Sequence, residues 1–139
     1  MKKFLLALPL LLAFALLIPT VTAEAADIPS FSRVAGNYAP YKNKENNRKK
    51  NLRWYYYECS IDLRENFAEQ YINLLKRSGL TYVGHKADDW RRQSNPAYLD
   101  VWYFNCRGQQ IEFWCFKRFA EGRKTFSLKI PYGLTYEDD

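Results

Sequence analysis

The spacing of apolar side chains changes along the chain and predicts where strands give way to a helix. Residues 52–60, LRWYYYECS, have the aromatic, extended character of a strand. The next segment places apolar residues at i, i+4, i+8, i+11 and i+12, namely Leu63, Phe67, Tyr71, Leu74 and Leu75. That spacing forms one stripe on a helix, so we predict an amphipathic helix over about residues 62–78.

Both ends of the predicted helix carry suitable residues. Asp62, with Glu65 three residues later, resembles an N-terminal capping box. Lys76 and Arg77 suit the negative end of the helix dipole, and Gly79 suits the position just after the helix.

Four further strands are predicted after the helix, at about 80–86, 98–106, 109–119 and 124–132. Tight turns at Arg107-Gly108 and Glu121-Gly122 join the last three into an antiparallel meander. With two-residue loops, the numbers of facing residues sum to 215 in the first hairpin and 243 in the second.

This register predicts two different sheet faces. The first is continuously apolar and is where we expect the helix to pack; it collects Trp102, Phe104, Cys106, Ile111, Phe113, Cys115, Phe126, Leu128 and Ile130. The second is aromatic on one side and polar on the other; it collects Leu99, Val101, Tyr103, Glu112, Trp114, Phe116, Arg118, Thr125, Ser127 and Lys129.

The opening strand divides by the same alternation, because neighbouring strand side chains point in opposite directions. Trp54, Tyr56 and Glu58 form one set, and Arg53, Tyr55, Tyr57 and Cys59 form the other. The candidate residues for binding a ligand or partner on the second face are Tyr103, Trp114, Phe116, Trp54 and Tyr56. Two alternatives would hide that face: residues 28–41 could cover it with Phe31, Tyr38 and Tyr41, or two copies could pack face to face.

The first 23 residues have the pattern of a signal peptide. MKK is followed by an apolar stretch and by TVTA, with Val21 and Ala23 suitably placed for cleavage. The alternative is an uncleaved membrane anchor, which needs about 20 apolar residues. We expect cleavage and export to the periplasm or the extracellular space, with no transmembrane helix remaining. Cleavage removes Lys2 and Lys3 and lowers the formal net charge from +6 to +4.

Residues 24–51 show no regular period, so we predict an extended leader followed by a basic loop, ahead of a single domain at 52–139. The loop could contact a polyanion or a membrane surface weakly through Lys42, Lys44, Arg48, Lys49 and Lys50.

The order strand, helix, four strands resembles the cystatin-like arrangement, in which an antiparallel sheet wraps one helix. The resemblance covers residues 52–132 and implies an α+β fold of about five strands, in the order β-α-β-β-β-β. The first hairpin, VGHKADDWRRQSNPAY, lacks the glutamine-x-valine-x-glycine motif of the cysteine-protease inhibitors. Inhibition is therefore not implied.

Three cysteines leave one unpaired in a monomer. Cys106 and Cys115 lie about six residues apart along their hairpin, roughly 20 Å, which is too far for a disulfide. If the first two strands run antiparallel, as the cystatin-like order implies, Cys59 pairs with Cys106. A parallel crossover would bring Cys59 toward Cys115 instead, and three unbridged thiols are the remaining alternative.

The sequence favours a non-enzymatic, exported bacterial binding or interaction domain, with a protein or carbohydrate ligand on its aromatic face. His85 is the only histidine and no CxxC or HxxxH spacing occurs, so no metal or cofactor is expected. The alternative is a small secreted or periplasmic hydrolase of the nuclease or phosphodiesterase type. It would require His85 to converge with charged residues of the following loop, namely Asp88, Asp89, Arg91 and Arg92.

Overall fold

The computed structural model describes residues 25–139, and the predicted signal peptide lies outside them. The described chain forms a short helix α1 (Ser32–Ala35), a 3₁₀ turn (Gly36–Tyr38) and a longer helix α2 (Phe67–Arg77). Its strands are β1 (Tyr41–Asn47), β2 (Leu52–Ser60), β3 (Thr81–Asp89), β4 (Ala97–Cys106), β5 (Gln109–Arg118) and β6 (Arg123–Pro131). None of the helices in this part of the chain has the length and hydropathy needed to cross a membrane.

The strands form one antiparallel sheet in the order β1-β2-β6-β5-β4-β3. The predicted α+β class is confirmed, but the sheet has six strands rather than about five. Its order also differs from the cystatin-like expectation, because β2 pairs with β6 rather than with β3. Helix α2 carries the chain across the sheet to β3 at the far edge, so β2 and β3 run in the same direction.

Helix α2 begins later than predicted. Asn66, not Asp62, is its N-cap: the Asn66 side chain accepts a hydrogen bond from the Glu69 amide at 3.1 Å and donates one to the Glu69 carboxylate at 2.7 Å. The end of the helix is as predicted. Gly79 has φ +93°, and the amides of Gly79 and Leu80 bond back to Lys76 and Leu75, which forms a Schellman motif.

The register of the first hairpin is confirmed, since Trp102 faces Phe113 and the residue numbers sum to 215. The second register is wrong. Arg118 pairs with Arg123 across a four-residue turn, so facing residues sum to 241 rather than 243. A shift of two residues preserves the side-chain faces, because strands alternate with period 2.

The predicted apolar face is confirmed as the core face. All nine of its predicted residues are buried except Trp102 and Cys106, which pack against the core at its margin. Tyr71 and Leu75 of α2 are buried on the same side, so helix and sheet share one apolar layer.

The leader does not cover the second face. Phe31 is fully buried on the helix side, with its ring centroid 4.7 Å from that of Phe126 and 5.2 Å from that of Tyr71. Tyr38 is instead 70% exposed and Tyr41 47% exposed. The segment predicted as a basic loop also differs, because its first part pairs with β2 as edge strand β1.

The buried tyrosines of β2 hold an acidic segment, residues 136–139, against the core. Tyr57 donates to the Asp138 carboxylate at 2.5 Å and shares a hydrogen bond with the Tyr136 hydroxyl at 2.6 Å. Tyr55 donates to Asp139 at 2.5 Å. Burial, followed by the neighbouring Tyr136 phenol and Asp138 carboxylate, raises the pKa of Tyr57, so this phenol stays protonated and acts as a donor.

The same acidic segment fixes the leader. Ile28 pairs with Tyr136 as an isolated parallel bridge, and the Ser30 hydroxyl donates to Asp138 at 2.7 Å. Arg53, buried on the core face, donates to Asp139 at 2.6 Å and to the Pro131 carbonyl at 3.0 Å. The leader and the acidic segment therefore close the core together.

The expected Cys59–Cys106 disulfide is wrong, and all three cysteines carry free thiols. Cys59 faces Lys124 near the end of β2, whereas Cys106 faces Gln109 beside the β4–β5 turn. Because β2 and β3 run in the same direction, these two cysteines lie at opposite ends of the sheet. Burial raises the pKa of Cys115 to about 12.

We expect Tyr57→Phe to destabilise the protein by about 1–2 kcal/mol, because it removes a buried hydroxyl that hydrogen-bonds to Asp138 and to Tyr136. Urea unfolding measures the change. The matched control is Tyr82→Phe, which alters an exposed phenol and should shift stability by less than about 0.5 kcal/mol. Equal stabilities of the two variants would contradict a structural role for the hydroxyl network.

Thiol labelling should separate the cysteines by burial. Cys106 is half-buried and should react with a maleimide first, whereas the buried Cys59 and Cys115 should react only as the protein unfolds. Mass spectrometry of timed digests identifies the labelled residue, and labelling in urea controls for intrinsic reactivity. Labelling of Cys115 as fast as Cys106 in the folded protein would show that this part of the core is open.

Candidate functional site

The sheet face opposite α2 contains an open groove with a volume of about 670 Å³. We call it the aromatic groove. Its apolar lining consists of Trp54, Tyr56, Trp90, Leu99, Trp114 and Phe116, and its polar lining consists of Lys42, Asn43, Glu58, Arg118, Thr125 and Ser127. The volume lies in the range usual for small-molecule sites.

Short side chains on the central strand create the depression. Thr125 and Ser127 lie on β6, which is paired with β5 on one side and with β2 on the other. Both neighbouring strands carry large aromatic residues on this face. Ser127 faces Trp114 on one side and Tyr56 on the other. Two small hydroxyl residues thus form a floor between aromatic walls.

The aromatic walls have a defined geometry. Trp54 and Tyr56 are nearly parallel, with an interplanar angle of 11° and 6.1 Å between ring centroids. Trp114 meets Trp54 edge-on, at 79° and 5.1 Å. Three of the four tryptophans in the chain line this groove, and Trp102 on the opposite face is the exception.

Glu112 orients the side chains at one end of the groove. It accepts the indole N–H of Trp114 at 3.1 Å and pairs with Lys129 at 3.0 Å. The ammonium of Lys129 lies 5.5 Å from the Trp54 ring centroid, in a cation–π contact. These contacts fix the orientation of both tryptophans, and both residues line the groove.

The other end of the groove is charged. Glu58 accepts a hydrogen bond from Arg123 at 2.5 Å and lies 3.7 Å from Arg118 and 3.6 Å from Lys42. The hydrogen bond from Arg123 is the main reason that the pKa of Glu58 lies below its ordinary value, and burial opposes it.

The structure brings four of the five predicted binding residues together. Trp54, Tyr56, Trp114 and Phe116 line the groove, whereas Tyr103 lies beyond it on the same face. Sequence reasoning missed Trp90. The Trp90 amide donates to the Ala97 carbonyl at 2.9 Å and so extends the pairing of β3 with β4. Continuing the strand alternation through residues 87–90 would have placed Trp90 on the groove face.

The residues of the predicted hydrolase do not converge. His85 stacks on Trp102 and bonds to Asp100 at 2.7 Å on the helix side of the sheet. Asp88 faces Leu99 on the opposite side. Arg91, in the exposed loop after β3, pairs with Asp89 at the end of that strand at 2.5 Å. Asp89, Arg91 and Arg92 line one cleft of about 610 Å³, but His85 and Asp88 lie outside it. No group of three potential metal ligands forms within residues 25–139.

The predicted basic contact residues are divided between ion pairs and solvent. Lys42 pairs with Glu58, and Lys44 pairs with Asp139 at 3.0 Å. Arg48 lies over the Tyr132 ring at 5.9 Å, and Lys49 and Lys50 are exposed. Binding to a polyanion or a membrane surface remains a prediction.

No family model matches the chain, and neither a curated protein nor a solved structure shows significant similarity to it. The function is therefore inferred from the groove and its residues.

We expect Glu58→Gln to lower the thermal unfolding temperature at pH 7, because three cations lose their shared carboxylate. The difference in unfolding temperature from wild type should shrink as the pH falls below about 4.5, the ordinary pKa of a glutamate. The pKa of Glu58 in the folded protein is lower still, so the wild-type carboxylate is protonated, and its ion pairs are lost, only below that pH. Thermal unfolding between pH 7 and 3 measures both effects.

The control is Glu121→Gln, which removes a 54%-exposed carboxylate paired with the same Arg118 and should have little effect. A Glu58→Gln protein as stable as wild type at pH 7 would contradict the role of this carboxylate.

Proposed function

We propose that this protein is an exported, non-enzymatic binding domain and that the aromatic groove captures a carbohydrate. The observation that carries the proposal is a hydroxyl-lined floor between tryptophan and tyrosine walls, on a face that α2 and the leader leave uncovered. Export is supported by the amino-terminal sequence pattern.

The groove matches the two kinds of surface on a sugar ring. The C–H groups on the faces of a pyranose are apolar and can stack on the near-parallel rings of Trp54 and Tyr56. Its hydroxyl groups need donors and acceptors at the edges. Ser127 makes no side-chain hydrogen bond among residues 25–139, and Asn43 also lines the groove, so both side chains are available.

The charged groups at the end of the groove are consistent with this ligand. Arg118 donates to Thr125 at 3.2 Å, and Arg123 donates to Glu58. Carboxylate and guanidinium groups already paired in this way can still bond to neighbouring sugar hydroxyls without introducing a large net charge. They add polar specificity to an otherwise aromatic site.

A protein partner, which the sequence also allows, is the alternative ligand for the aromatic groove.

The alternative hydrolase would need a converging acid–base set, and His85, Asp88 and Arg91 are spread over both sides of the sheet and a loop. The arrangement therefore favours binding over hydrolysis.

Titration with cellotetraose, chitotetraose and mannotetraose tests the proposal. Tryptophan fluorescence should respond saturably to at least one, because Trp54, Trp90 and Trp114 line the groove. Trp54→Ala and Ser127→Leu should each weaken that binding at least tenfold. The first removes stacking area worth about 1.5–3 kcal/mol, and the second fills the floor.

Tyr82→Ala is the matched control, since it removes an exposed aromatic side chain from the same sheet outside the groove. It should bind like wild type. A saturable response to an unstructured peptide library and to none of the oligosaccharides would replace the sugar with a protein partner. Binding that survives both groove substitutions would place the site elsewhere.

A further inference from the structure

A second cleft, of about 500 Å³, lies on the helix side of the sheet. It is bounded by the start of α2, by the loop before it and by the ends of β4, β5 and β6. Lys117 and Lys124 both line it. The cleft and the aromatic groove are on opposite faces, so a ligand site in the cleft is independent of the proposed function.

The two lysines face each other directly across the β5–β6 ladder. Like charges in this position destabilise a sheet. The lysine ion pairs of the described chain involve Lys42, Lys44, Lys86 and Lys129, and no carboxylate of residues 25–139 lies within 4.0 Å of either cleft lysine. The facing pair is therefore uncompensated.

Lys124 is also buried, with 7% of its surface exposed. Its ammonium donates to the Leu63 carbonyl at 3.3 Å and lies 5.5 Å from the Phe126 ring centroid. An ammonium has three donors, and a buried charge is costly unless it is paired. One long hydrogen bond and one aromatic contact leave donors of Lys124 available.

The neighbouring pair in the same hairpin provides an internal comparison. Arg118 and Arg123 also face each other, but on the groove side, and Glu58 and Glu121 neutralise them at 2.5 and 2.8 Å. The lysine pair is the adjacent pair in the ladder and has no such partner. The chain thus neutralises one facing cation pair and leaves the other without a counter-charge.

The start of α2 adds favourable electrostatics. Asn66, Phe67 and Ala68 line the cleft, so the positive end of an eleven-residue helix points toward it. Two acidic residues also line the cleft. Glu65 is exposed, and Asp100 is already bonded to His85 at 2.7 Å. Neither neutralises the lysines.

We propose that this cleft is a binding site for a phosphate-type oxyanion, held between Lys117 and Lys124 near the start of α2. A dianion would balance the two ammonium groups and supply the acceptors that their remaining donors need. Inorganic phosphate and a phosphomonoester share this chemistry.

Thermal unfolding in phosphate, compared with chloride at equal ionic strength, tests the site. Phosphate at 100 times its dissociation constant should raise the folding equilibrium constant about 100-fold, because it binds the folded state. Lys117→Met should lose this response and be at least as stable as wild type in phosphate-free buffer at low salt, since it relieves the repulsion. Lys86→Met, on edge strand β3, is the matched control and should respond like wild type.

Phosphorus NMR titration with inorganic phosphate and with glycerol 1-phosphate measures binding directly. Tighter binding of the ester would identify an organic phosphate as the preferred source, and equal binding would identify the free ion. Stabilisation no larger than that by chloride, or a full phosphate response in Lys117→Met, would overturn the proposal. Lys124→Met should also lose the phosphate response. Because Lys124 is buried, that variant can fail to fold, and Lys117→Met then decides the test.

Discussion

Two phenols that must find hydrogen-bond partners inside an apolar layer determine how the rest of the chain is arranged. Tyr55 and Tyr57 point into the core face, where an unsatisfied hydroxyl would cost about 1–3 kcal/mol. Their partners, Asp138 and Asp139, come from residues about 80 positions later. Drawing that acidic segment to the helix side also brings the leader there, because the two segments pair with each other. The opposite face is left without a cover.

Strand β2 connects this core to the candidate site. Its alternation places tyrosines in the core and Trp54, Tyr56 and Glu58 in the aromatic groove. Since both sets sit on one paired strand, the core contacts that fix the backbone of β2 also fix the groove side chains. The aromatic side chains of the groove are therefore held in place before a ligand binds, and binding at β2 need not order a loop.

Local patterns predicted much of this architecture, and long-range contacts explain what they missed. The helical stripe, Gly79 and the 215 register depend on neighbouring residues and were predictable. The 243 register failed because a four-residue turn replaced the assumed two-residue turn. The leader's position depends on partners 108 residues away, such as Thr135 for Asp27, which no local period reveals. Four groove residues followed from alternation, and Trp90 was missed because β3 extends beyond its predicted end.

The β5–β6 hairpin links the two proposed sites physically. Residues 117 and 118 are adjacent, as are 123 and 124, so alternation sends the arginine pair to the groove and the lysine pair to the cleft. Glu58 of β2 reaches the arginines, whereas the residue on the other face of that strand end is Cys59, a thiol whose pKa burial raises. One strand end thus presents a carboxylate to one cation pair and an uncharged thiol to the other. The difference in charge between the two faces therefore depends on the step from Glu58 to Cys59, together with Glu121, which pairs with Arg118.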